Sequence, residues 1–306
     1  MRRIVTRGLP DRSVCSVHPF HICIKGLETA VLYRDDCDYD AMVKVICVSA
    51  WRRNVLVIIY AVASNHCHVA ILAANHSDAD AYAKDIKKVY SMWFSRKYGE
   101  KNTMEGIETK ALYLDTDWYV RNVLAYIPRN ALDNGCNVNE YKWSGYRAAF
   151  QKGTPGINGA IRVNLLKSRE KERIMHTGDK LDRVPWLIDS DGHLIPVSFC
   201  DHTYLEQAFE NDQAFFLKTI GAVNVAEMRY NLEERPYIMV PDTDLYKSVD
   251  ELAGLWFKKS LPELSQEQKN RLIPYIDHTR KTTPKQLARV FGLSVEKIER
   301  IVRAKG

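Results

Sequence analysis

The stretch that decides the fold is 55–73, with the sequence VLVIIYAVASNHCHVAILA. Two runs rich in β-branched and aliphatic residues, 55–63 and 66–73, flank the turn-forming pair Ser64-Asn65. This arrangement is typical of two antiparallel strands joined by a short turn. The sequence therefore predicts a β-hairpin in the first half of the chain.

Strand and helix patterns alternate on both sides of this hairpin. A strand pattern covers 16–25, and apolar residues at helical spacing cover 40–51. After the hairpin, Ser77 or Asp78 can cap a helix, and a further helical pattern begins at Asp117. This β-α-β-β-α order predicts an α+β fold, in which a small antiparallel sheet carries helices in a ferredoxin-like arrangement.

The composition is that of an ordinary globular protein. The 306 residues are 46% hydrophobic and 27% charged, and no apolar run approaches the roughly 20 residues that span a bilayer, so no membrane partner is expected. The seven cysteines form no CxxC pair, which suits neither a disulfide framework nor a zinc ribbon. We therefore expect reduced thiols and a cytoplasmic protein, without a cleaved signal segment.

Positive charge is concentrated near the C-terminus. Residues 280–306 contain eight Lys and Arg against two Glu, a net +6 that equals the formal charge of the whole chain. A turn at Gly292 and a cap at Ser294 predict two helices, 284–290 and 295–303, with the spacing of a helix-turn-helix. A helical hairpin with a purely structural role is the alternative. The cations that we expect to contact DNA are Lys285, Lys297, Arg300 and Arg303.

These patterns divide the chain into three parts. Residues 1–150 form the α/β unit, and 261–306 form an all-α DNA-binding module. The intervening 151–260 begins as a polar, basic connector and continues as mixed short elements without recognisable chemistry.

Two histidines open the second strand of the hairpin. Residues i and i+2 of a strand face the same side, so His66 and His68 can bind one metal ion while Cys67 faces the opposite, buried side. A chance pair of strand histidines is the alternative. His21, on a neighbouring strand, can approach the same site or be an ordinary core histidine.

A tyrosine lies outside the apolar stripe of the helix that begins at Asp117. Counting 100° per residue places Tyr126 roughly 110° from the centre of that stripe, with Asn122 and Asn130 one turn before and after it. Tyr119 lies on nearly the same face and is the alternative reactive tyrosine. A tyrosine that only packs on the surface is the competing interpretation.

Four segments occur in a fixed order in the first half of the chain. They are His21-Ile22 with 34–39 (RDDCDY), 60–69 (YAVASNHCHV), 126–131 (YIPRNA) and 141–146 (YKWSGY). Together they resemble the HUH single-tyrosine transposases, in particular the REP-associated tyrosine transposase group. The resemblance covers 16–150, slightly under half the chain, and a C-terminal helix-turn-helix also occurs in longer members of that group.

The resemblance implies a ferredoxin-like catalytic domain that cuts and rejoins single-stranded DNA beside a hairpin, often as a homodimer. Tyr126 would be the nucleophile, giving a 5′-phosphotyrosine and a free 3′-OH. A divalent ion, Mg²⁺ or Mn²⁺, would stabilise the charge that builds up on the phosphate. The metal ligands would be His66, His68 and Asn130.

The chain departs from the family pattern near the nucleophile. The family's proline after the asparagine is Ala131 here, whereas Pro128 stands between Tyr126 and Asn130. An interior proline removes a helical hydrogen bond and bends the chain, and whether that bend leaves Asn130 on the face of Tyr126 stays open at the level of sequence. Two alternative functions therefore stay open, namely a hairpin-DNA-binding regulator that has lost cleavage and a site-specific nickase for replication or transfer.

Overall fold

The computed structural model describes residues 3–24, 31–100, 104, 106–133, 135–151, 159–221, 242–280 and 282–303. Three residues used in the sequence-based expectations lie outside these ranges, namely Lys25 of the predicted first strand and Lys281 and Lys305 of the basic end. Within them the chain is a mixed α/β protein whose antiparallel sheet is covered by helices.

Five antiparallel strands form the main sheet. They are β1 (Val5–Gly8), β2 (Val14–Ile24), β3 (Leu56–Ala63), β4 (His66–Ala73) and β5 (Thr109–Tyr113). The second part of β2 lies between β5 and β4, giving the order β5-β2-β4-β3, while β1 pairs with the first part of β2. The predicted hairpin of β3 and β4 is confirmed, with Ala61 opposite His68 and Ala63 opposite His66.

Three long helices pack on this sheet, namely α1 (Asp36–Arg52), α2 (His76–Tyr98) and α3 (Asp117–Asp133). Helix α1 begins earlier than the predicted 40–51, because Asp35 caps it through a capping box with Asp38. The predicted caps of α2, Ser77 and Asp78, were wrong. Asn75 is the cap, and its side chain accepts a hydrogen bond of 3.0 Å from the backbone N–H of Asp78.

The two faces of the sheet bury different side chains. Cys67 and Val69 of β4 belong to the apolar cluster that includes α1 and α2, as the strand alternation predicts. The opposite face contributes Ala61 and Ala70 to a second cluster with α3. His66 and His68 therefore lie on the face that α3 covers.

The described parts of 151–260 contain helices and a short ladder that pack on the core. They include α4 (Ser168–Met175), a two-residue ladder of β6 (Ile161–Arg162) with β7 (Leu187–Ile188), α5 (His202–Ala208) and a helix α6 over 213–221. Trp186 and Ile188 pack into the α1–α2 side of the core, and Tyr204 and Phe216 pack into the α3 side. Helix α4 cannot be predicted from the polar sequence 167–173, because its buried residues are Lys171 and Met175 and these form no apolar stripe.

Four helices form the C-terminal cluster, namely α7 (Asp242–Phe257), α8 (Gln266–Arg280), α9 (Pro284–Phe291) and α10 (Val295–Arg303). The two predicted helices 284–290 and 295–303 match α9 and α10, and Gly292 ends α9 with a positive φ of 64°. Leu245 of α7 shares the apolar core of α8 to α10, so the helical cluster reaches back into 151–260. Among the described residues, no helix combines the length and apolarity needed to cross a membrane.

Candidate active site

The two histidines of β4 lie side by side beneath α3. The ring centroids of His66 and His68 are 5.1 Å apart, and the rings are nearly perpendicular. The residues opposite them on β3 are Ala63 and Ala61. These methyl side chains leave room for two imidazoles between the sheet and the helix.

Asn130 reaches this pair from α3. Its Oδ1 lies 3.0 Å from Nε2 of His66, and its Nδ2 donates to the backbone oxygens of Tyr126 (3.1 Å) and Ile127 (3.0 Å). The two donated bonds fix the orientation of the amide, so the oxygen faces the imidazole.

Pro128 does not take Asn130 away from the site. Helix α3 continues through Pro128 to Asp133, although the proline has no N–H to donate to the carbonyl of residue 124. The amide of Asn130 supplies donors to two carbonyls of this same turn. The carbonyl without a helical donor is that of Leu124, so these two bonds do not replace the missing one; they hold the Asn130 side chain with its oxygen at His66.

Tyr126 completes the group. Its ring packs edge-to-face on His68, with the centroids 5.2 Å apart at an interplanar angle of 73°. The Arg129 guanidinium carbon lies 5.9 Å from the centroid of the same ring. Tyr119, the alternative tyrosine, packs against the apolar cluster beneath α3 and is roughly 10 Å away along the helix axis.

His21 also belongs to the site, which the sequence left undecided. Its Nε2 lies 3.0 Å from Nδ1 of His68, and both side chains are buried. Burial lowers the pKa of His21 to about 4. Burial, followed by the charges of His66 and His21, lowers the pKa of His68 to about 2. Both imidazoles are therefore neutral at neutral pH, which is the form that binds metal ions.

The spacing of one pair of donors is compatible with a shared divalent cation. Two ligands at right angles, each about 2.1 Å from an octahedral ion, are about 3.0 Å apart, and Nε2 of His66 and Oδ1 of Asn130 have this separation. No group of three or more His, Cys, Asp or Glu that could hold a metal lies in the described ranges. A site here therefore depends on the amide oxygen of Asn130 beside the two imidazoles.

The segment 141–146 covers the edge of β3 next to the histidines. The backbone N–H of Val62 donates to the carbonyl of Trp143 (3.0 Å), and Tyr141 Oη donates to the carbonyl of Val62 (2.5 Å). Ser144 forms an isolated bridge with Ala61. This segment thus holds the strand that faces His66 and His68.

The predicted DNA-contacting cations lie on α9 and α10. Lys285, Arg300 and Arg303 are exposed. Lys297 is half-buried, and its Nζ donates to Oε1 of Gln266 on α8 at 2.6 Å. Three of the four side chains therefore present their charge to solvent.

No protein-family model, curated protein or solved structure matches the chain. A function therefore has to be inferred from the grouping of Tyr126, His66, His68 and Asn130 and from the sequence motifs that contain them.

Proposed function

We propose that the chain is a metal-dependent, single-tyrosine DNA transposase or strand transferase that cuts and rejoins single-stranded DNA. The observation that carries the proposal is the convergence of Tyr126 and Asn130 of α3 on the two histidines of β4. These residues come from two separate motifs, about 60 positions apart in the sequence. Such a grouping is what the chemistry of a tyrosine nucleophile beside a metal site requires.

The sheet favours the same family. The element order β2-α1-β3-β4-α2-β5 and the strand order β5-β2-β4-β3 support the interpretation of this sheet as ferredoxin-like. In this arrangement the histidine strand β4 is internal and the nucleophile helix α3 follows the last strand. We therefore interpret 1–150 as an HUH catalytic domain.

Tyr126 performs the proposed transfer. Its phenolic oxygen attacks the scissile phosphorus and loses its proton, the bond from phosphorus to the 3′-oxygen breaks, and that oxygen takes up a proton. The products are a 5′-phosphotyrosine and a free 3′-OH, so one phosphodiester replaces another and the step can be reversed to join strands. His66, His68 and Asn130 would hold Mg²⁺ or Mn²⁺, which stabilises negative charge on the phosphate oxygens.

The C-terminal helices supply affinity for duplex or hairpin DNA in this proposal. The α9–Gly292–α10 unit has the spacing of a helix-turn-helix, and its exposed Lys285, Arg300 and Arg303 suit contacts with phosphates. We include in the proposal a homodimer that acts on hairpin DNA, as the family resemblance implies, and a cytoplasmic location, as the cysteine usage indicates.

A regulator that binds hairpin DNA without cleaving it is less well supported. Pro128 is the feature that favours it, because a bend there would remove Asn130 from the site. With Oδ1 of Asn130 facing His66, that reason disappears. A nickase would use the same residues, and its separate biological outcome depends on the DNA that is joined.

An adduct assay tests the proposal. Labelled single-stranded hairpin DNA from the flanking region of the gene is mixed with the full chain in Mn²⁺ or EDTA and separated on denaturing gels. We expect a band that depends on metal, resists denaturant and disappears in Tyr126→Phe but persists in Tyr119→Phe. Retarded migration on native gels without any covalent band would favour the DNA-binding regulator. A covalent band lost only in Tyr119→Phe would identify Tyr119, and not Tyr126, as the nucleophile.

A further inference from the structure

The contact between His21 and His68 carries an inference beyond the proposed metal ligands. His21 lies on β2 opposite Ala70, and its neighbour on the same face, Cys23, lies opposite His68. The small side chain of Ala70 lets His21 reach diagonally to His68. The two ring centroids are 5.0 Å apart, and each residue is only 7% exposed.

The number of protons on two neutral imidazoles limits the hydrogen bond between His21 and His68 to two arrangements. A neutral imidazole has one N–H and one lone pair, so the 3.0 Å contact between Nε2 of His21 and Nδ1 of His68 contains a single proton. If His21 holds that proton, His68 is protonated on Nε2 and cannot bind a metal there. If His68 holds it, Nε2 of His68 keeps its lone pair.

His66 also has a neighbour outside the proposed ligand set at its Nδ1, which lies 2.9 Å from Oδ1 of Asn65. Its Nε2 lies 3.0 Å from Oδ1 of Asn130. Both oxygens are acceptors and the neutral ring has one proton, so these contacts do not fix the tautomer of His66. A cation at Nε2 of His66 would require the proton to be on Nδ1, facing Asn65.

We propose that His21 is a positioning residue whose Nε2 accepts the Nδ1–H of His68 and thereby fixes the tautomer and ring orientation of His68. This inference rests on the proposed function only in assigning His68 to a metal. Hydrogen bonds of this kind to the second nitrogen of a ligating histidine orient the ring, and their loss weakens metal binding by roughly 10–100-fold.

The tautomer can be measured without metal or DNA. Long-range ¹H–¹⁵N correlation spectra of the metal-free full chain, labelled with ¹⁵N-histidine, distinguish Nδ1–H from Nε2–H. We expect Nδ1–H at His68 in the wild type and in His21→Gln, whose amide oxygen can accept the same bond, and Nε2–H or a mixture in His21→Leu. Nε2–H at His68 of the wild type would overturn the proposal.

Metal affinity supplies the second readout. Titration with Mn²⁺, followed by electron paramagnetic resonance, should show binding roughly 10–100-fold weaker in His21→Leu and within a few-fold of wild type in His21→Gln. Equal losses in both variants, or no loss in either, would contradict the role of His21 as the acceptor that positions His68. A wild type with the expected tautomer but no Mn²⁺ binding would contradict the proposed function and leave the His21–His68 bond standing. If His21→Leu fails to fold, the wild type and His21→Gln still decide the question.

Discussion

Ser64 Oγ donates a hydrogen bond of 2.9 Å to Oδ2 of Asp242, which joins the turn of the β3–β4 hairpin to the first residue of α7. The same carboxylate accepts from Nε2 of Gln286 (3.1 Å) and forms an ion pair with Arg289, both on α9. Asp242 thus connects the C-terminal helices to the turn two residues before His66.

Removal of the Asp242 carboxylate should loosen this connection. Its side chain is 4% exposed, so Asp242→Ala leaves a partly buried guanidinium and two further donors without their acceptor. We expect a loss of about 3 kcal/mol in the free energy of unfolding, measured by urea denaturation. Glu299→Gln, which breaks the exposed 3.7 Å pair with Arg303, is the matched control and should change stability by less than about 0.5 kcal/mol. Equal effects would contradict a structural role for Asp242.

The predictable parts of this molecule are those set by local spacing. His66 and His68 share a face through strand alternation, Tyr126 and Asn130 are one helical turn apart, and Gly292 ends α9 where a left-handed residue is needed. The contacts of His21 with His68 and of Ser64 with Asp242 span 47 and 178 residues. Such pairs leave no periodic signal, because only the tertiary packing brings them together.

The effect of Pro128 could not be judged from the sequence for the same reason. The rule that an interior proline bends a helix is local, whereas the outcome depends on what else the turn binds. Here the amide of Asn130 bonds two carbonyls of that turn and faces His66.

Gly145 should tolerate no side chain. A Cβ at this position would lie 3.0 Å from Cδ1 and 3.1 Å from the backbone nitrogen of Tyr60, a fully buried residue of β3. We expect Gly145→Ala to lower the free energy of unfolding by about 1–3 kcal/mol, because the backbone of β3 must move. Gly8→Ala is the control, since nothing lies within 4 Å of its added Cβ. A stable Gly145→Ala protein would show that 141–146 does not pack tightly on β3.

Asp85 should make stability depend on acid pH. Burial alone would raise its pKa, but hydrogen bonds from Arg53 and the charge of Arg52 hold the pKa below the usual 3.8. A carboxylate with a lowered pKa stabilises the folded state above the unfolded pKa, and this contribution disappears as the pH falls through the folded pKa. The gap in unfolding free energy between wild type and Asp85→Asn should therefore be about 1–3 kcal/mol at pH 7 and shrink below pH 4.

The control for this pH series is Asp80→Asn. Asp80 pairs with Lys84 on the exposed side of α2, and the Lys84 side chain is 70% exposed. The variant should differ from wild type by less than about 0.5 kcal/mol at every pH. A gap for Asp85→Asn that stays constant from pH 7 to pH 2 would contradict the lowered pKa.

The exposed cations of the C-terminal helices should control the salt dependence of hairpin binding. Arg300→Ala and Lys285→Ala should each reduce the slope of log affinity against log salt concentration by about 1, as loss of one phosphate contact does. Lys297→Ala should have a smaller effect, since its ammonium is already bonded to Gln266. Lys84→Ala on α2 is the control, and an equal reduction there would indicate non-specific attraction rather than a binding face.

Two asparagines of α3 offer the sharpest test of the metal site. Oδ1 of Asn130 faces His66, whereas Nδ2 of Asn122, two turns earlier on the same helix, is buried without a hydrogen-bond partner in the described part of the chain. Asn130→Ala should weaken Mn²⁺ binding at least tenfold and lower stability by about 1 kcal/mol, because the two side-chain hydrogen bonds to helix carbonyls are lost. Asn122→Ala should leave both quantities unchanged or slightly improved.

Thermal unfolding with and without metal measures both effects together. A ligand at 100 times its Kd stabilises the folded state by about 2.7 kcal/mol, so saturating Mn²⁺ should raise the Tm of the wild type and of Asn122→Ala, and EDTA should reverse the rise. At the same Mn²⁺ concentration, Asn130→Ala should show a smaller rise, because a tenfold weaker Kd removes about 1.4 kcal/mol of that stabilisation. An equal rise in all three proteins would exclude Asn130 from the ligand set and leave the two imidazoles without a third protein donor.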